Sequence, residues 1–222
     1  MSFIQIKGTQ EKIPVSKILC VGTNYAEHVA EMNPGKTVEK PSEPVIFMKP
    51  PSAIIHDGEE IVRPEASKEM HHEVEMIVVI GKNGKLISKS AAMDHVMGYA
   101  VGLDMTLRDL QTEFKKKGKP WTIAKGFDTS AAISDVILKS EIPNPMALDF
   151  KLFVNDQLRQ SGNTGNMLFD VGDIISYISK FFTLNRGDVI YTGTPQGVGA
   201  VNSGDRLKAV LGEFVHLNIQ VA

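Results

Sequence analysis

Two acidic residues in one apolar stretch are the groups best placed to do chemistry. Glu73 and Glu75 lead into the apolar residues 76–80, and side chains alternate along a strand, so both carboxylates point to one face. At that spacing they lie roughly 6–7 Å apart and repel by about 2–3 kcal/mol. Buried charges normally pair or bind a metal, and carboxylates favour Mg²⁺, Mn²⁺ or Ca²⁺ over zinc. The pair therefore predicts a divalent-metal site in an enzyme.

Exposure of both carboxylates at a sheet edge is the alternative, and the unbroken apolar run after Glu75 favours burial instead. Asp104 ends a second apolar run, residues 98–103, at the mouth of another predicted buried strand. There it either caps the helix that follows or faces a site shared with other residues. Two carboxylates alone do not make a metal site, so a third ligand is expected.

Further candidate site residues are a histidine–glutamate pair, two basic residues and a glutamine. His28 and Glu31 lie three residues apart, so on a helix the carboxylate can orient the imidazole and raise its basicity; a solvated pair is the alternative. Arg108 and Gln111 also share a helical face. Lys125, between apolar residues and a glycine, either does chemistry or extends its ammonium group to the surface.

A glycine-rich loop at residues 191–199 follows a predicted strand. It lacks the Gly-Lys-Ser/Thr ending of a P-loop, so nucleotide binding is not indicated. Its glycines either only make turns or let backbone N–H groups approach an anionic substrate.

Many short strands and few helices would position these groups. The helix at 24–32 is expected to stop at Asn33-Pro34-Gly35, and Asn155-Asp156 is typical of a hairpin turn. The pattern predicts an α+β, mainly β fold, a roll or distorted sandwich, as one domain over residues 1–222 with residues 1–16 as an N-terminal extension packed on it. The predicted strands are 3–7, 18–21, 45–48, 73–80, 99–103, 148–154, 157–161, 188–192 and a pair within 206–221; the helices are 24–32, 90–96, 107–116 and 174–182.

The composition excludes several classes of protein. The chain has 222 residues, 42% of them hydrophobic and 23% charged, with a formal net charge of −2, as in an ordinary globular enzyme rather than a nucleic-acid-binding protein. The single cysteine, Cys20, excludes a disulfide framework within one chain. There is no stretch of membrane-spanning length and no signal-like N-terminus, so we expect a cytoplasmic protein without a membrane partner.

Five motifs, taken in order, resemble the fumarylacetoacetate hydrolase family. The match extends from about Lys17 to the C-terminus, and the short length together with the fourth motif is most similar to the small acylpyruvate hydrolases and oxaloacetate decarboxylases. The motifs are N-Y-x-x-H-x-x-E from Asn24, H-H-E-x-E from His71, L-D-M-T-x-R-D-x-Q from Leu103, P-W-x-x-A-K from Pro120 and T-G-T-P-x-G-V-G from Thr192.

The resemblance implies a role for each candidate residue. It implies that Glu73, Glu75 and Asp104 hold Mg²⁺ or Mn²⁺, with Ca²⁺ as a substitute. It implies a water-activating pair, His28 and Glu31, and a cationic stabiliser, Lys125. It further implies a mixed β-sandwich roll, a homodimer and a small oxo-acid substrate. The implied substrate contacts are Arg108, Gln111, Thr194, Lys49 and Thr129.

One position departs from the family pattern. Many small members carry an arginine before the Asn-Tyr pair, where this chain has Thr23. A cation that could hold a substrate carboxylate is therefore missing, which weakens the expectation of acylpyruvase-type specificity.

Several reactions fit the implied site. The predicted reaction is metal-dependent hydrolysis of a C–C bond in an acylpyruvate or related 1,3-dicarbonyl acid, because a His-Glu pair is present. Oxaloacetate decarboxylation is the first alternative, and isomerisation or tautomerisation of hydroxymuconate-type or oxo acids is another. Two alternatives do not involve metal-dependent chemistry of oxo acids. One is a Schiff-base aldolase that uses Lys125, and the other is a metal-stabilised binding module without activity.

Overall fold

The structure is a computed structural model that describes residues 2–32, 35 and 39–222. Within them the chain forms many short strands and four α-helices: α1 (Ala26–Met32), α2 (Arg108–Lys117), α3 (Thr122–Lys125) and α4 (Val171–Phe181). The strands are β1 (Phe3–Gln5), β2 (Lys12–Pro14), β3 (Ile18–Val21), β4 (Ile46–Lys49), β5 (Ile54–Ile55), β6 (Glu60–Ile61), β7 (Met70–His72), β8 (Val74–Ile80), β9 (Val96–Asp104), β10 (Thr106–Leu107), β11 (Ala131–Ile133), β12 (Ile137–Leu138), β13 (Asp149–Val154), β14 (Gln157–Asn163), β15 (Val189–Tyr191), β16 (Gly199–Val201), β17 (Arg206–Leu211) and β18 (Val215–Val221). Short 3-10 helices occupy Pro51–Ala53, Lys89–His95, Lys139–Glu141 and Thr164–Asn166.

The main sheet is mixed and is built around the strand that carries the acidic pair. Its strand order is β4-β3-β15-β8-β9-β11-β5, with β12 also paired to β9. Every residue of β8 is buried, with Ile77 and Val79 on one face and Val74, Met76, Val78 and Ile80 on the other. The sequence prediction of a strand buried on both faces is confirmed.

A second sheet, ordered β14-β13-β17-β18-β6, packs on one face of the main sheet. Residues of β18 alternate between buried and exposed, which is the pattern of a strand with one face on a core and the other in solvent. Helix α4 adds its apolar side to the same core. The prediction of a mainly β, α+β fold with few helices is confirmed.

The hairpin between β13 and β14 turns at Asn155 and Asp156, as predicted. Their φ angles are 50° and 63°, the left-handed values that a two-residue turn of this type requires. Asparagine and aspartate tolerate this conformation better than most residues.

The N-terminal segment covers the opposite face of the main sheet. Strands β1 and β2 pair with each other, and Ile4 and Ile13 pack in a second core with Cys20 and Ile77. The division into one domain with an extension at residues 1–16 stays a prediction. The expected helix stop at Asn33 and Pro34 lies outside the described residues, and no helix within them is long and apolar enough to cross a membrane.

Candidate active site

Three carboxylates meet where the ends of two antiparallel strands come together. Glu73 occupies the break between β7 and β8, Glu75 is in β8, and Asp104 is the last residue of β9. Strand pairing places Val74 opposite Leu103, and the backbone N–H of Asp104 donates to the carbonyl of Glu73 at 2.8 Å. One oxygen of each carboxylate lies within 4.8 Å of the others. The structure therefore brings the predicted ligands together.

Burial of this carboxylate cluster is nearly complete. The exposed fractions are 5% for Glu73, 1% for Glu75 and 1% for Asp104, so the alternative of a solvent-facing pair is wrong. Asp104 does not cap helix α2, whose N-cap residue is Leu107.

Three basic side chains surround the carboxylates. The Nζ atom of Lys125 lies 2.7 Å from both Glu73 Oε2 and Asp104 Oδ2, and that of Lys49 lies 2.8 Å from Asp104 Oδ1. The guanidinium group of Arg108 pairs with Glu73 Oε1. Lys125 is only 3% exposed, so it does not extend to the surface.

The positive charges of the basic side chains act more strongly on Glu73 than on Glu75. Burial would raise the pKa of Glu73, but the charges of Lys125 and Arg108 lower it far below its ordinary value. For Glu75, burial and the nearby charges of Asp104 and Glu73 raise the pKa well above its ordinary value. The hydrogen bond to Glu75 comes from the backbone N–H of Gly193, at 2.6 Å. Glu75 thus has no salt bridge with a basic side chain among the residues that the structure describes.

These donors fit a hard divalent cation. All three ligand groups offer oxygen, which Mg²⁺, Mn²⁺ and Ca²⁺ prefer. The Oδ1 atom of Asp104 is buried and has no aligned hydrogen-bond donor within the described chain, although the Lys49 ammonium is near. A cation held by Glu73, Glu75 and Asp104 would be coordinated by their oxygens and would balance the charge of Glu75.

The pair formed by His28 and Glu31 lies on the short helix α1. The Nδ1 atom of His28 lies 3.3 Å from Glu31 Oε2, and His28 is 6% exposed, which argues against a merely solvated pair. Burial lowers the pKa of His28 below its ordinary value, although the charges of Glu73 and Glu31 oppose this. The backbone N–H of Gly197 donates to both Glu31 oxygens, at 3.0 and 3.2 Å.

A cavity of about 60 Å³ is lined both by His28 of the pair and by Glu73 of the carboxylate cluster. Its described lining is Gly22, Thr23, His28, Val29, Met32, Phe47, Glu73, Arg108, Gln111, Lys115, Trp121 and Lys125. The imidazole, one carboxylate and two of the basic groups therefore face one small space.

The predicted substrate contacts fall into two groups. Arg108 and Gln111 line the cavity, and a guanidinium N–H of Arg108 donates to Gln111 Oε1 at 2.6 Å. Lys49, Thr194 and Thr129 are not among its lining residues. Lys49 is occupied by Asp104, the Met105 carbonyl at 3.2 Å and the Lys125 carbonyl, while Thr129 accepts from the N–H of Val62 at 3.0 Å. Their contact with substrate stays a prediction.

Comparison with known proteins decides the family. Residues 17–222 match the family model described as fumarylacetoacetate (FAA) hydrolase C-terminal. The chain belongs to the fumarylacetoacetate hydrolase family. A Rattus norvegicus relative named oxaloacetate tautomerase FAHD1, mitochondrial, is 48% identical over 204 residues, which cover 92% of this chain and 90% of that protein.

Solved structures of the fumarylacetoacetate hydrolase family have the same fold. Fumarylpyruvate hydrolase from Pseudomonas aeruginosa, in complex with Mn²⁺ and pyruvate, superposes with a TM-score of 0.93 at 37% identity over 99% of this chain and 95% of that one. For 5-carboxymethyl-2-hydroxymuconate delta-isomerase from Mycobacterium smegmatis, the TM-score is 0.82 at 35% identity over 94% and 79%. The predictions of the family, of its fold and of an enzyme are confirmed.

Sequence reasoning missed Gln160, which joins three parts of the family site. This residue of β14 is 1% exposed, and its Oε1 accepts the N–H of Val74, between Glu73 and Glu75, at 3.0 Å. Its Nε2 donates to Thr194 Oγ1 at 2.8 Å and to the Pro195 carbonyl at 2.9 Å. In the sequence, Gln160 follows Gln157, Leu158 and Arg159 after a hairpin turn, a stretch without a clear apolar alternation, so no local signal distinguishes it.

The glycine-rich loop also contacts the site in a way that its composition only partly indicates. Gly193 has φ of 100°, and a Cβ atom there would meet Asn24 Cβ at 2.7 Å, so only glycine fits. The buried amide of Asn24 donates to the carbonyls of Phe169 and Thr192 at 3.0 and 2.8 Å. Asn24 therefore joins the residues before α1 to this loop, a role that the motif containing it did not suggest.

Proposed function

We propose that this family member is a divalent-metal-dependent hydrolase that cleaves a C–C bond in acylpyruvates. The observation that carries the proposal is the shared cavity, in which the His28 imidazole faces the carboxylate Glu73 and the ammonium group of Lys125. In the reaction, water adds to the acyl carbonyl and the bond to the adjacent methylene carbon breaks. The acyl part leaves as a carboxylic acid, and the remainder takes up a proton and leaves as pyruvate.

Glu73, Glu75 and Asp104 are the proposed ligands of the cation. We propose Mg²⁺ or Mn²⁺, with Ca²⁺ as a substitute; the oxygen donors and the Mn²⁺ named for the Pseudomonas aeruginosa structure support this choice. When bound, the cation supplies Lewis-acid polarisation of a substrate oxygen.

His28 is the proposed general base. An ionised carboxylate only accepts hydrogen bonds, so Glu31 holds the imidazole with its proton on Nδ1 and leaves the lone pair on Nε2. The Nε2 atom then takes a proton from the attacking water. The lowered pKa of His28 keeps the imidazole neutral, which is the form that a base needs.

Lys125 is the proposed stabiliser of developing negative charge. Burial would lower the pKa of Lys125, but the charges of Asp104 and Glu73 raise it above its ordinary value and keep the ammonium protonated. A protonated amine donates hydrogen bonds to an oxyanion, whereas it has no lone pair for a Schiff base. We propose that four residues position the substrate: Arg108 and Gln111, which line the cavity, and Thr194 and Lys49, which do not.

Tautomerisation of oxaloacetate is the second candidate function. The rat relative is named for it at 48% identity, and a cavity of about 60 Å³ suits a compact acid. In this reaction, His28 would move a proton between carbon and oxygen without any addition of water. Decarboxylation of oxaloacetate and isomerisation of hydroxymuconate-type acids use the same groups, and a relative named for such an isomerase supports the latter.

Product analysis separates these reactions. The enzyme is incubated with Mg²⁺ or Mn²⁺ and with acylpyruvates, oxaloacetate or hydroxymuconate-type diacids, and the products are identified by NMR. Hydrolysis gives a new carboxylic acid and pyruvate in equal amounts, decarboxylation gives pyruvate and CO₂, and tautomerisation gives neither. Absence of acylpyruvate cleavage with any of the metals contradicts the main proposal.

We also propose that the chain acts as one catalytic domain in a homodimer. Strand β4 forms one edge of the main sheet. Val45, just before this strand, is 43% exposed, and Met48, within it, is 38% exposed. Exposed apolar side chains beside unpaired strand backbone suit a second copy. Light scattering of Met48→Glu tests this, with Leu158→Glu, an exposed apolar residue of the other sheet, as the control.

The cytoplasm is the proposed location. The absence of a membrane-length apolar stretch from the sequence is compatible with it, whereas the name of the rat relative assigns that protein to mitochondria. Fractionation of the source cells with an antibody to the chain distinguishes the two compartments.

A further inference from the structure

The two histidines of the H-H-E-x-E motif have no part in the proposed reaction, and each ring has a different partner. Both belong to β7, and neighbouring side chains on a strand point to opposite faces. The Nδ1 atom of His72 lies 2.9 Å from Oε1 of Gln160, on the second sheet. The Nδ1 atom of His71 instead accepts a hydrogen bond from Nε of Arg108 at 3.4 Å. His71 therefore faces helix α2 and the arginine by which that helix reaches the carboxylate cluster.

The contacts at both ends of the His71 ring require the same tautomer. The Nε–H group of Arg108 can only donate, so Nδ1 of His71 carries the lone pair. The Nε2 atom lies 2.8 Å from Oε1 of Glu69, and an ionised carboxylate can only accept, so Nε2 carries the proton. Because the Glu69 side chain is 49% exposed, another acceptor or water can replace it without changing this assignment.

Three segments of the chain hold the guanidinium group of Arg108. Its Nε donates to His71 of β7, one terminal nitrogen donates to Gln111 Oε1 at 2.6 Å, and the other donates to Glu73 Oε1. The group is planar, so donors held on three sides fix both its plane and its position. The N–H groups that these contacts leave over have no partner among the described residues, and Arg108 lines the cavity.

We infer that His71 is a positioning residue, which holds the guanidinium group of Arg108 in the orientation that it presents to the cavity. The inference rests on the proposed function, in which Arg108 positions the substrate. His71 is not among the lining residues, so it acts through Arg108 and does not touch the substrate. Without the acceptor on His71, only the terminal nitrogens of Arg108 are held, and the group can rotate about the line through them.

The kinetic test compares two replacements of His71. His71→Leu removes the acceptor, whereas His71→Asn keeps one, because Oδ1 of asparagine has the same place along the side chain as Nδ1 of histidine. A hydrogen bond to a charged group is worth about 1.5 kcal/mol, so His71→Leu should raise the KM for an acylpyruvate by about tenfold and leave kcat unchanged. His71→Asn should restore the wild-type KM. An unchanged KM in His71→Leu, or an equal rise in both variants, overturns the inference.

Two further variants separate positioning from a merely structural role. His95→Leu also removes a histidine hydrogen bond, that of Nδ1 with the Lys82 carbonyl at 2.9 Å, at the end of β8 and β9 away from the carboxylate cluster. The KM should not change in this control. In an Arg108→Met background, His71→Leu should have no further effect on KM, because the two residues act as one unit. A tenfold rise in that background as well contradicts the inference.

An NMR measurement decides the inference without turnover. In the ¹⁵N-labelled protein, the Nε–H signal of Arg108 is assigned by its absence from Arg108→Met. Its exchange with water should be slow in the wild type and in His71→Asn but fast in His71→Leu, and at mildly alkaline pH the ¹⁵N shifts of the His71 ring should place the proton on Nε2. A proton on Nδ1, or equal exchange in the wild type and His71→Leu, overturns the inference. If the wild-type enzyme cleaves no acylpyruvate, the proposed function fails, and the exchange rates still decide whether His71 holds Arg108.

Discussion

The carboxylate cluster and the His28–Glu31 pair each contribute one residue, Glu73 and His28, to the same cavity, but they are held in different ways. The cluster lies on β8 and β9 at the centre of the main sheet, where Glu75 and Asp104 are each 1% exposed. The His28–Glu31 pair lies on α1, a helix of seven residues, and the Glu31 side chain is 35% exposed. A helix that short is not stable alone, so its position depends on contacts such as that of Glu31 with the N–H of Gly197.

Because of this difference, we expect cation binding and proton transfer to depend on different elements of the fold. The sheet fixes the carboxylates and therefore the place of the proposed cation, whereas the proposed base lies on a short helix outside that sheet. Relatives with the same fold are named for hydrolysis and for isomerisation. A proposed base on a different element from the ligands is a physical way to obtain several reactions from one site.

The largest expected effect follows from changing a residue of the carboxylate cluster. Glu75→Gln keeps the shape of the side chain but removes the charge of one proposed ligand, so metal-dependent turnover should fall below detection while the circular dichroism spectrum stays unchanged. Glu69→Gln is the control, because that carboxylate is 49% exposed and lies outside the cluster. Turnover of Glu75→Gln at the wild-type rate with Mg²⁺ would show that Glu75 is not a ligand.

Removal of the base should have a smaller effect. His28→Ala should slow hydrolysis by about 10²–10⁴-fold, the usual contribution of a positioned base, while the affinity for Mn²⁺ stays unchanged. His216→Ala, which alters an exposed histidine on the second sheet, provides the control. If His28→Ala loses Mn²⁺ binding as well, the two regions are not independent and the comparison fails.

The stability of the metal-free protein should distinguish two carboxylates of the same cluster. Glu73→Gln leaves Lys125 and Arg108 with a missing partner and should lower the free energy of unfolding by about 3–5 kcal/mol. Glu75→Gln replaces a carboxyl group that has no positive partner among the described residues and whose raised pKa already disfavours its charged form, so it should leave the stability unchanged or raise it. Urea unfolding of both variants measures this, and equal losses would contradict the uneven distribution of charge.

An arginine at position 23 should show whether this position faces the carboxylate of the substrate. Thr23→Arg should lower the KM for oxaloacetate by about tenfold relative to that for an uncharged acylpyruvate, because a charge-assisted hydrogen bond is worth about 1.5 kcal/mol or more. Thr23→Gln, of similar length without the charge, is the control. A change of the same size for both substrates would mean that the side chain at this position does not face the substrate carboxylate.

The smallest expected effect is a shift in pH dependence. A general base must be neutral, so with His28 in the proposed role the activity should be complete above its pKa and disappear as the pH falls through it. Because burial lowers that pKa, the midpoint of the acidic limb should lie below the ordinary value of 6.5. Glu31→Gln removes a charge that raises the pKa and should move the midpoint further down. A wild-type midpoint above 6.5 would mean that the carboxylates outweigh burial.

Local pattern explains which features could be predicted from the sequence. The face shared by Glu73 and Glu75 follows from strand alternation, and the hairpin follows from Asn155-Asp156. The Gln160 contact with Val74 joins residues 86 positions apart, and that of Gly193 with Glu75 joins residues 118 apart. No local periodicity encodes such contacts, because they arise only when the second sheet and the loop pack against β8.

Helix boundaries and short strands show the same limit. The helix expected at 90–96 is the 3-10 helix Lys89–His95, and strand β2 lies between the strands expected at 3–7 and 18–21, where no strand was predicted. Short strands such as β7, β10 and β16 went unpredicted, since their partners rather than their sequences make them strands. The carboxylates could be found because their chemistry conflicts with their apolar neighbours.

The ammonium group of Lys125, between Glu73 and Asp104, has a consequence for the life of the protein in a metal-poor cell. It pairs with two of the three carboxylates from within the chain, and Arg108 and Lys49 add positive charge beside the same two groups. We therefore expect the metal-free protein to stay folded but inactive. Its activity should return on addition of the metal, without new synthesis.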